Sequence, residues 1–290
     1  MLFGKFGQLG WELHRSLAPF GELTALDYPE IDLVNPESLD EIIQAVKPDV
    51  IINATAYTAV DKAEEEIDIA MAINAHAPRR MAELALKNGS ALIHYSTDYV
   101  FDGRKGSPYG ETDQPNPLGM YGESKLAGDT AIREVDGTHL IFRTSWVYST
   151  RRDSFVTKVL SWARKQKELK IVDDQISNPT WCRMLAEATA ILIARAGKFP
   201  ADWINERRGL YNLAGEGYAS RLEWAKAILE FDPNSEQQIF QELKPAKTSD
   251  YSSPAERPLF SALSCEKFSD TFGFRLPYWQ EALKLAMASG

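Results

Sequence analysis

The sequence has few residues that could form cross-links or bind a metal. Two cysteines, Cys182 and Cys265, occur among 290 residues, and they lie far apart in no C-x-x-C spacing. Neither a disulfide framework nor a structural zinc site is indicated, so a reducing compartment is expected. The four histidines are scattered, and His94 and His139 lie within strand patterns typical of buried structural histidines. We therefore predict no catalytic metal.

Long apolar runs and an excess of basic residues are also absent. No window approaches the roughly 18 consecutive apolar residues that span a bilayer, and the N-terminus lacks the basic-then-apolar layout of a signal peptide. With 32 Lys and Arg against 41 Asp and Glu, the net charge is −9, the wrong sign for coating nucleic acid. We expect a cytoplasmic protein without a nucleic-acid or membrane partner, in which an anionic ligand would need local basic groups.

The first half of the chain alternates short apolar runs with amphipathic stretches of helical length. The predicted strands are residues 1–3, 23–26, 50–52, 91–95, 139–143 and 170–172, and the predicted helices are 8–17, 36–46, 69–87, 118–134 and 155–165. Such alternation is typical of βαβ units. The sequence therefore predicts an α/β fold with a six-stranded, doubly wound parallel sheet of the Rossmann type.

The alternation of predicted strands and helices ends at about residue 178. Helices are predicted at 182–196, 221–231, 265–272 and 278–288, with one strand at 209–213 and proline-rich connections. This pattern predicts a smaller, mixed α/β C-terminal cap that binds the substrate. We place the dinucleotide-binding domain at residues 1–173 and the substrate-binding domain at 174–290, with some segments joining either lobe.

A glycine pattern lies between the first strand and the first helix. Gly4, Gly7 and Gly10 form G-x-x-G-x-x-G, which permits a tight turn and a close approach of the backbone to a pyrophosphate at the helix N-terminus. A simple turn is the alternative. The pattern predicts a dinucleotide site that also involves the intervening Phe6, Gln8 and Leu9.

An acidic residue ends the second predicted strand. Asp27 follows Gly10 by 17 residues, close to the spacing at which a carboxylate binds the adenosine ribose hydroxyls. This favours NADH over NADPH. Because Tyr28-Pro29 follows, a turn residue is the alternative interpretation.

A hydroxyl, a phenol and a lysine form the second motif. Tyr121 and Lys125 stand at i and i+4 of a predicted helix, so both side chains emerge on one face. A nearby ammonium favours the phenolate and so lowers the pKa of a tyrosine. Thr97 follows the fourth strand, whose carboxyl end should face the ligand crevice. These three residues have the chemistry of a proton donor to a carbonyl group.

Together with the glycine loop, this set resembles the extended short-chain dehydrogenase/reductase family, and within it the dTDP-4-dehydrorhamnose reductases. The resemblance lies in the runs GKFGQLG (4–10), NATAYTAVDKAE (53–64), HYSTDYVFDG (94–103), YGESKLAG (121–128), FRTSWVY (142–148) and DQISNPT (174–180). It is strong to about residue 180 and sparser beyond, where Arg257-Pro258 and Ser261-Ala-Leu263 match. The first strand is shorter than is usual in the family.

The resemblance implies NADH- or NADPH-dependent reduction of the C4 keto group of dTDP-4-dehydro-β-L-rhamnose to dTDP-L-rhamnose, the last step of that synthesis. It implies that Tyr121 donates the proton, that Thr97 holds the carbonyl oxygen, and that Lys125 assists the phenol and binds the nicotinamide ribose. Further cofactor contacts are implied for Asn53, Ala54 and Ala56. The implied substrate contacts are Thr58, Asp61, Thr97, Asp98, Tyr99, Tyr121, Trp146 and Arg257.

Several alternatives remain open for these residues. Tyr99 and Trp146 have flat apolar faces suited to a sugar ring, but core packing is the rival interpretation. Arg257 suits a diphosphate, although a surface ion pair is nearly as good an explanation. Family members are described both as monomers and as metal-bridged dimers, so the resemblance allows a monomer or homodimer and a Mg²⁺ ion.

Two other functions compete with reduction. Sugar-nucleotide dehydratases and epimerases share the predicted fold, but a dehydratase of this type has an Asp-Glu pair where this chain has Asp98-Tyr99. The regulatory subunit of methionine adenosyltransferase also resembles these reductases and acts as a binding partner. The intact set of Thr97, Tyr121 and Lys125 favours an enzyme.

Overall fold

The computed structural model describes residues 1–288. Its strands are β1 (Leu2–Phe3), β2 (Ala25–Leu26), β3 (Val50–Asn53), β4 (Ala91–Thr97), β5 (His139–Thr144), β6 (Val147–Tyr148), β7 (Glu168–Val172), β8 (Ile176–Ser177), β9 (Thr180–Trp181), β10 (Gly209–Asn212), β11 (Ala219–Ser220) and β12 (Glu242–Ala246). Its α-helices are α1 (Gln8–Leu17), α2 (Ser38–Val46), α3 (Val60–Ala63), α4 (Ile67–Met71), α5 (Ala77–Asn88), α6 (Met120–Val135), α7 (Phe155–Ala163), α8 (Cys182–Ala196), α9 (Pro200–Asn205), α10 (Arg221–Glu230), α11 (Glu266–Phe272) and α12 (Trp279–Ala288).

Six strands form the central sheet in the order β10-β5-β4-β3-β1-β2, and every pairing in it is parallel. The chain first moves from β1 outward to β2 and then crosses to β3 on the other side of β1. The strand order therefore reverses between β1 and β3. In a doubly wound sheet, ligands bind outside the carboxyl ends of the strands at this position.

Each face of the sheet has its own apolar core, because alternate residues of a strand point to opposite faces. Leu2, Ile52, Ile93 and Phe142 pack in the core that includes α1 and α8. Their neighbours on the strands pack instead against α2, α5 and α6, in a core that includes Phe3, Ile51, Leu92 and Ile141. The predicted doubly wound α/β fold is confirmed.

The predicted identity of the sixth strand is wrong. Residues 170–172 lie in β7, which pairs with β12 in a separate two-stranded sheet, and β10 completes the central sheet instead. Exposed and buried residues alternate along β7, whereas three of the four residues of β10 are buried. A strand inside a doubly wound sheet is covered on both faces, and only β10 meets that condition.

The boundary between two lobes stays a prediction at residues 173 and 174. From the C-terminal side of that boundary, β10 joins the central sheet, and residues of α8 share a core with α1.

The helix predicted at 69–87 is interrupted by a π-helical turn at Ala72–His76. Within residues 1–288, no helix combines the length and the apolar character that crossing a membrane requires.

Helix α6 lies unusually close to the turn that follows β4. A Cβ atom added to Gly122 would lie 2.3 Å from the carbonyl oxygen of Tyr99, which is backbone and cannot swing away. Only glycine therefore allows this approach, even though alanine is the better helix former. The close approach brings the rings of Tyr99 and Tyr121 to 5.6 Å between centroids.

We predict that Gly122→Ala lowers the melting temperature by several degrees, because overpacking costs about 1–3 kcal/mol. The matched control is Gly110→Ala, where an added Cβ would meet only the Asp113 carboxylate at 3.9 Å. Thermal unfolding followed by circular dichroism compares the two. A melting temperature that rises in Gly122→Ala, as helix propensity alone would give, would contradict the described contact.

Candidate active site

The glycine loop connects β1 to α1 in the conformation that the pattern predicts. Gly4 has φ of +91°, and a Cβ atom on Gly10 would lie 1.8 Å from the Gly4 carbonyl oxygen. No side chain caps the N-terminus of α1 at Gly7. The first backbone N–H groups of the helix therefore point toward the crevice, where they suit a phosphate.

Asp27 follows β2 and reaches the loop. Its carboxylate accepts hydrogen bonds from the backbone N–H groups of Phe6 and Tyr28, each at 2.8 Å. Each oxygen keeps a lone pair for a ribose hydroxyl. Beside it, Lys5 forms an ion pair with Glu30 at 2.6 Å. Asp27 therefore serves the turn and still has acceptor capacity at the mouth of the loop.

Two arginines that the sequence did not single out also contact the loop. Arg152 donates to the carbonyl of Phe6, and Arg151 donates to that of Gly7 at 3.4 Å. The Arg151 guanidinium also lies 4.3 Å from the ring centroid of Trp11. Two positive charges therefore stand beside the glycine loop of an acidic protein.

Thr97 and Tyr121 meet at the carboxyl end of β4. The hydroxyl of Thr97 accepts from the N–H of Tyr99 at 3.2 Å and donates to Asp98 at 3.2 Å. Burial raises the pKa of Tyr121, and a hydrogen bond with Thr97 acts in the opposite direction. The phenol is therefore a proton donor rather than a phenolate in this setting.

Lys125 is buried one helical turn from Tyr121. Its Nζ donates to the carbonyl of Tyr95 at 2.7 Å and lies 3.2 Å from Nε2 of His94. Burial lowers the pKa of Lys125 to about 8, against the effect of Asp129. The amine is turned toward Tyr95 and His94 in this structure, and its effect on the pKa of Tyr121 stays a prediction.

Asp98 lies in a cage of serine hydroxyls. One carboxylate oxygen accepts from Ser145 at 3.1 Å, Ser177 at 3.0 Å and Ser261 at 2.5 Å, and Asp98 is 2% exposed. Burial raises its pKa, although the serine hydrogen bonds oppose that effect. A sugar contact does not fit this position. The carboxylate instead ties β4 to β8 and to the C-terminal segment.

Trp146 follows β5 with φ of +41°, which is a strained conformation for a bulky residue. Its indole stacks on Trp224 with ring centroids 5.5 Å apart. The guanidinium of Arg221 lies 3.7 Å from its ring centroid and interacts with the Tyr99 phenol. Trp146 therefore packs against the core and is partly exposed, and its contact with the substrate stays a prediction.

Arg221 is a half-buried cation that the sequence reasoning missed. Burial lowers the pKa of Arg221 to about 10, and within residues 1–288 no carboxylate lies at ion-pair distance from it. It lines a cavity of about 310 Å³ together with Phe155, Trp162, Gln166, Leu169, Lys170, Ile171, Val172 and Tyr251. Arg221 is the first residue of α10, and a single arginine at the start of a helix forms no sequence motif. Its position beside Trp146 is therefore evident only from the fold.

The remaining predicted residues lie near the site, and some of them already form hydrogen bonds or ion pairs within the protein. Arg257 forms an ion pair with Asp61 at 2.9 Å and donates to the carbonyl of Ala255. Thr58 is exposed before α3. Asn53 ends β3 and residues 54–56 follow it beside the glycine loop, where the backbone N–H of Ala54 donates to the carbonyl of Phe3 at 3.0 Å. Over residues 1–288, no group of three or more His, Cys, Asp or Glu side chains forms a metal site.

Comparisons with a family model and with known proteins point to the same family. The model of the RmlD substrate binding domain matches residues 1–290. The dTDP-4-dehydrorhamnose reductase of Shigella flexneri is 42% identical over 289 residues, covering 98% of this chain and 95% of that protein.

Solved structures agree with this assignment. A dTDP-4-dehydrorhamnose reductase from Clostridium acetobutylicum has a TM-score of 0.90 at 30% identity, covering 99% of this chain and 98% of that chain. The reductase from Bacillus anthracis, solved in complex with NADP, has a TM-score of 0.89 at 30% identity, covering 100% and 98%. On this evidence, added to the glycine loop and the Thr97, Tyr121 and Lys125 set, the chain belongs to the RmlD family of dTDP-4-dehydrorhamnose reductases.

Proposed function

We infer that this protein reduces the C4 keto group of dTDP-4-dehydro-β-L-rhamnose to dTDP-L-rhamnose, the last step of dTDP-rhamnose synthesis. It is an NAD(P)H-dependent oxidoreductase. The observation that carries this function is the meeting of Thr97 and Tyr121 at the carboxyl end of β4, with Lys125 one turn away. A non-catalytic binding protein would have no use for that set.

The residues of the loop fit a dinucleotide. The space that a Cβ of Gly10 would fill is taken by the Gly4 backbone, and the N-terminus of α1 has no side-chain cap. We assign cofactor binding to Gly4, Phe6, Gly7, Gln8, Leu9, Gly10, Asp27, Asn53, Ala54, Ala56, Tyr121 and Lys125. When bound, NADH or NADPH supplies the hydride. Arg151 and Arg152 add positive charge beside the phosphate position.

The reacting oxygen gains negative charge as the carbonyl is reduced, and a positioned donor must protonate it. Tyr121 gives this proton, since its phenol is held in the protonated form by burial. Thr97 holds the same oxygen with its hydroxyl. Lys125 would hold the nicotinamide ribose when the cofactor is bound, and its ammonium would supply positive charge to the phenol as the phenol loses its proton.

The nucleotide sugar is assigned to the crevice around Trp146 and Tyr99. Trp146 is partly exposed after β5, and its indole would cover the apolar face of the deoxysugar. Arg221 would pair with the diphosphate, and the adjoining cavity with Phe155 and Trp162 would take the base. Thr58, Asp61 and Arg257 line the entrance, with Asp61 and Arg257 acting as a pair.

Four further features remain proposals. NADH preference follows from Asp27, and the protein is proposed to be cytoplasmic. The resemblance allows a monomer or a homodimer, together with a Mg²⁺ ion. The division into a cofactor lobe and a substrate lobe near residue 173 is proposed with β10 and α8 assigned to the cofactor lobe.

We predict that Tyr121→Phe lowers kcat by about 100-fold or more and leaves the Kd of NADH nearly unchanged, because general acid catalysis is lost while the ring remains. Lys125→Met should impair both kcat and NADH binding. The decisive assay is NADH oxidation at 340 nm with the keto sugar, alongside a separate cofactor titration. Equal loss of cofactor affinity in the two variants would contradict the separate roles.

We predict that Asp27→Ala weakens NADH binding more than NADPH binding, because the carboxylate accepts ribose hydroxyls but repels a 2′-phosphate. Kd values for both cofactors at one ionic strength measure this. The carboxylate also accepts the Phe6 N–H, so Asp27→Asn, which keeps an acceptor oxygen, serves as the control for the loop. If Asp27→Ala changed neither Kd, the residue would act only in the turn.

We predict that Arg221→Met weakens dTDP binding by about 10- to 100-fold while the melting temperature stays equal or rises, since this half-buried cation has no carboxylate partner in the folded protein. The control is Arg207→Met, which removes a guanidinium stacked on Trp203 that is paired with Glu206. Calorimetry with dTDP and thermal unfolding test both. Unchanged dTDP affinity in Arg221→Met would exclude Arg221 as a diphosphate ligand.

A further inference from the structure

A short surface segment lies against the two tyrosines of the candidate active site. This segment, residues 252–258, is termed the strap, and it follows β12 in the chain. Ala255 and Pro258 are its buried residues, whereas most of the others are exposed. The strap therefore lies at the surface with two residues packed inward.

The chain is held by hydrogen bonds on both sides of the strap. Before it, the N–H of Thr248 donates to the Asp174 carboxylate at 2.9 Å, and the hydroxyl donates to the same oxygen at 2.7 Å. After it, the Leu259 carbonyl accepts from the N–H of Ile176 at 2.7 Å, and the N–H of Ser261 donates to the Ile176 carbonyl at 2.9 Å. These contacts fix the two ends of the strap but not its middle.

The middle of the strap is held by the carboxylate of Asp61 in α3. Its Oδ1 accepts from the Ser253 hydroxyl at 2.8 Å and from the N–H of Ala255 at 3.3 Å, and its Oδ2 accepts from Arg257 at 2.9 Å. Within residues 1–288, every hydrogen bond between the strap and another segment ends on Asp61. Both oxygens of this carboxylate therefore serve to hold the strap.

The Asp61 carboxylate is charged in this setting. Burial alone would raise the pKa of Asp61, but the hydrogen bonds from Ser253, Ala255 and Arg257 outweigh that effect and lower it. Hydrogen bonds to a charged acceptor are stronger than those between neutral groups. The side chain of Asp61 is nevertheless 48% exposed, so water competes for these contacts and they can open.

The strap also closes a cavity beside Tyr121. The rings of Tyr99 and Tyr121 line a cavity of about 10 Å³, and Ala255, Glu256 and Pro258 form one wall of it. This volume suits about one water molecule. A sugar ring is many times larger, so it fits between the strap and the tyrosines only after the strap has moved.

We propose that Asp61 is a positioning residue that latches the strap over Tyr99 and Tyr121, and that a nucleotide sugar enters this part of the site when the latch opens. The inference deepens the proposed function, since it rests on the placement of the sugar beside Tyr121. The strap moves between its two held ends, and Asp61 sets how often it opens. Closure over the bound sugar then excludes water from the phenol.

Hydrogen–deuterium exchange without cofactor or sugar tests the latch. The N–H of Ala255 donates directly to Asp61, so its exchange reports the opening of the strap. In Asp61→Ala, we expect this amide to exchange about fivefold faster or more, because all three contacts are lost. Ser253→Ala removes one contact and should give a smaller increase, which keeps the test valid if Asp61→Ala fails to fold. Unchanged exchange would overturn the proposal.

Stopped-flow tryptophan fluorescence tests whether the latch controls entry. We expect the association rate constant of dTDP-rhamnose to rise about fivefold in Asp61→Ala and less in Ser253→Ala, because opening limits entry of the sugar. A merely structural role would leave association unchanged or slow it, and either result would overturn the proposal. Association of dTDP, which lacks the sugar, should change less. An equal change for both ligands would mean that Asp61 acts on the diphosphate instead, and it would also refute the latch.

The matched control is Glu216→Ala. Glu216 forms an ion pair with Arg275 at 2.9 Å and has a side-chain exposure of 44%, so it resembles Asp61 in both respects without contacting the strap. We expect it to change neither the exchange of Ala255 nor the association rates, and an equal effect would refute a specific role of Asp61. If dTDP-rhamnose failed to bind the unaltered protein, the proposed function would be wrong, whereas the exchange measurement would still decide the latch.

Discussion

Burial of the Lys125 amine is the constraint on which the rest of the site depends. A charged amine taken out of water costs several kcal/mol unless it is paired, and within residues 1–288 no carboxylate lies at ion-pair distance from it. The protein supplies the Tyr95 carbonyl and the His94 imidazole instead. These contacts hold α6 against β4. Since Tyr121 precedes Lys125 by one turn, the same contacts fix where the phenol lies.

The parallel sheet alone brings the other candidate site residues together. Each strand of the sheet ends at the same edge, so one functional feature follows each of four neighbouring strands. The glycine loop follows β1, Asn53 ends β3, Thr97 ends β4, and Trp146 follows β5. The proposed cofactor position is therefore the reversal between β1 and β3, with the proposed proton donors beside it at the end of β4. The positions of the candidate site residues relative to one another follow the order of the strands in the sheet and not their separation in the sequence.

Local patterns made much of this predictable. The glycine loop, the pair at i and i+4, and the strand that ends at Thr97 are each encoded within a few residues, and the observed structure keeps them. The sixth strand was predicted wrongly because Glu168–Val172 and Gly209–Asn212 are both short, and only their burial tells a covered strand from a half-exposed one. Periodicity cannot supply that information for four or five residues.

Long-range contacts were beyond the sequence for a different reason. The three serines that surround Asp98 lie 47, 79 and 163 residues away from it, and a serine alone carries no signal. The left-handed backbone conformation of Trp146 could not be predicted from the sequence either. In a bulky residue, a positive φ is imposed by the surrounding structure and not by local propensity. Residue types could therefore be predicted at the strand ends, whereas their partners could not.

The charge distribution limits how the proposed ligands can bind. A net charge of −9 repels a nucleotide sugar and a dinucleotide at long range. Their proposed binding therefore requires local cations, and the candidates are Arg151 and Arg152 at the glycine loop and Arg221 beside Trp146. Arg221 differs from the other two because it is half-buried among aromatic rings, whereas Arg151 and Arg152 donate to backbone carbonyls of the glycine loop. In the proposed function, a diphosphate at this position would meet a partly desolvated cation that no carboxylate already pairs, so no ion pair would have to break when the ligand binds.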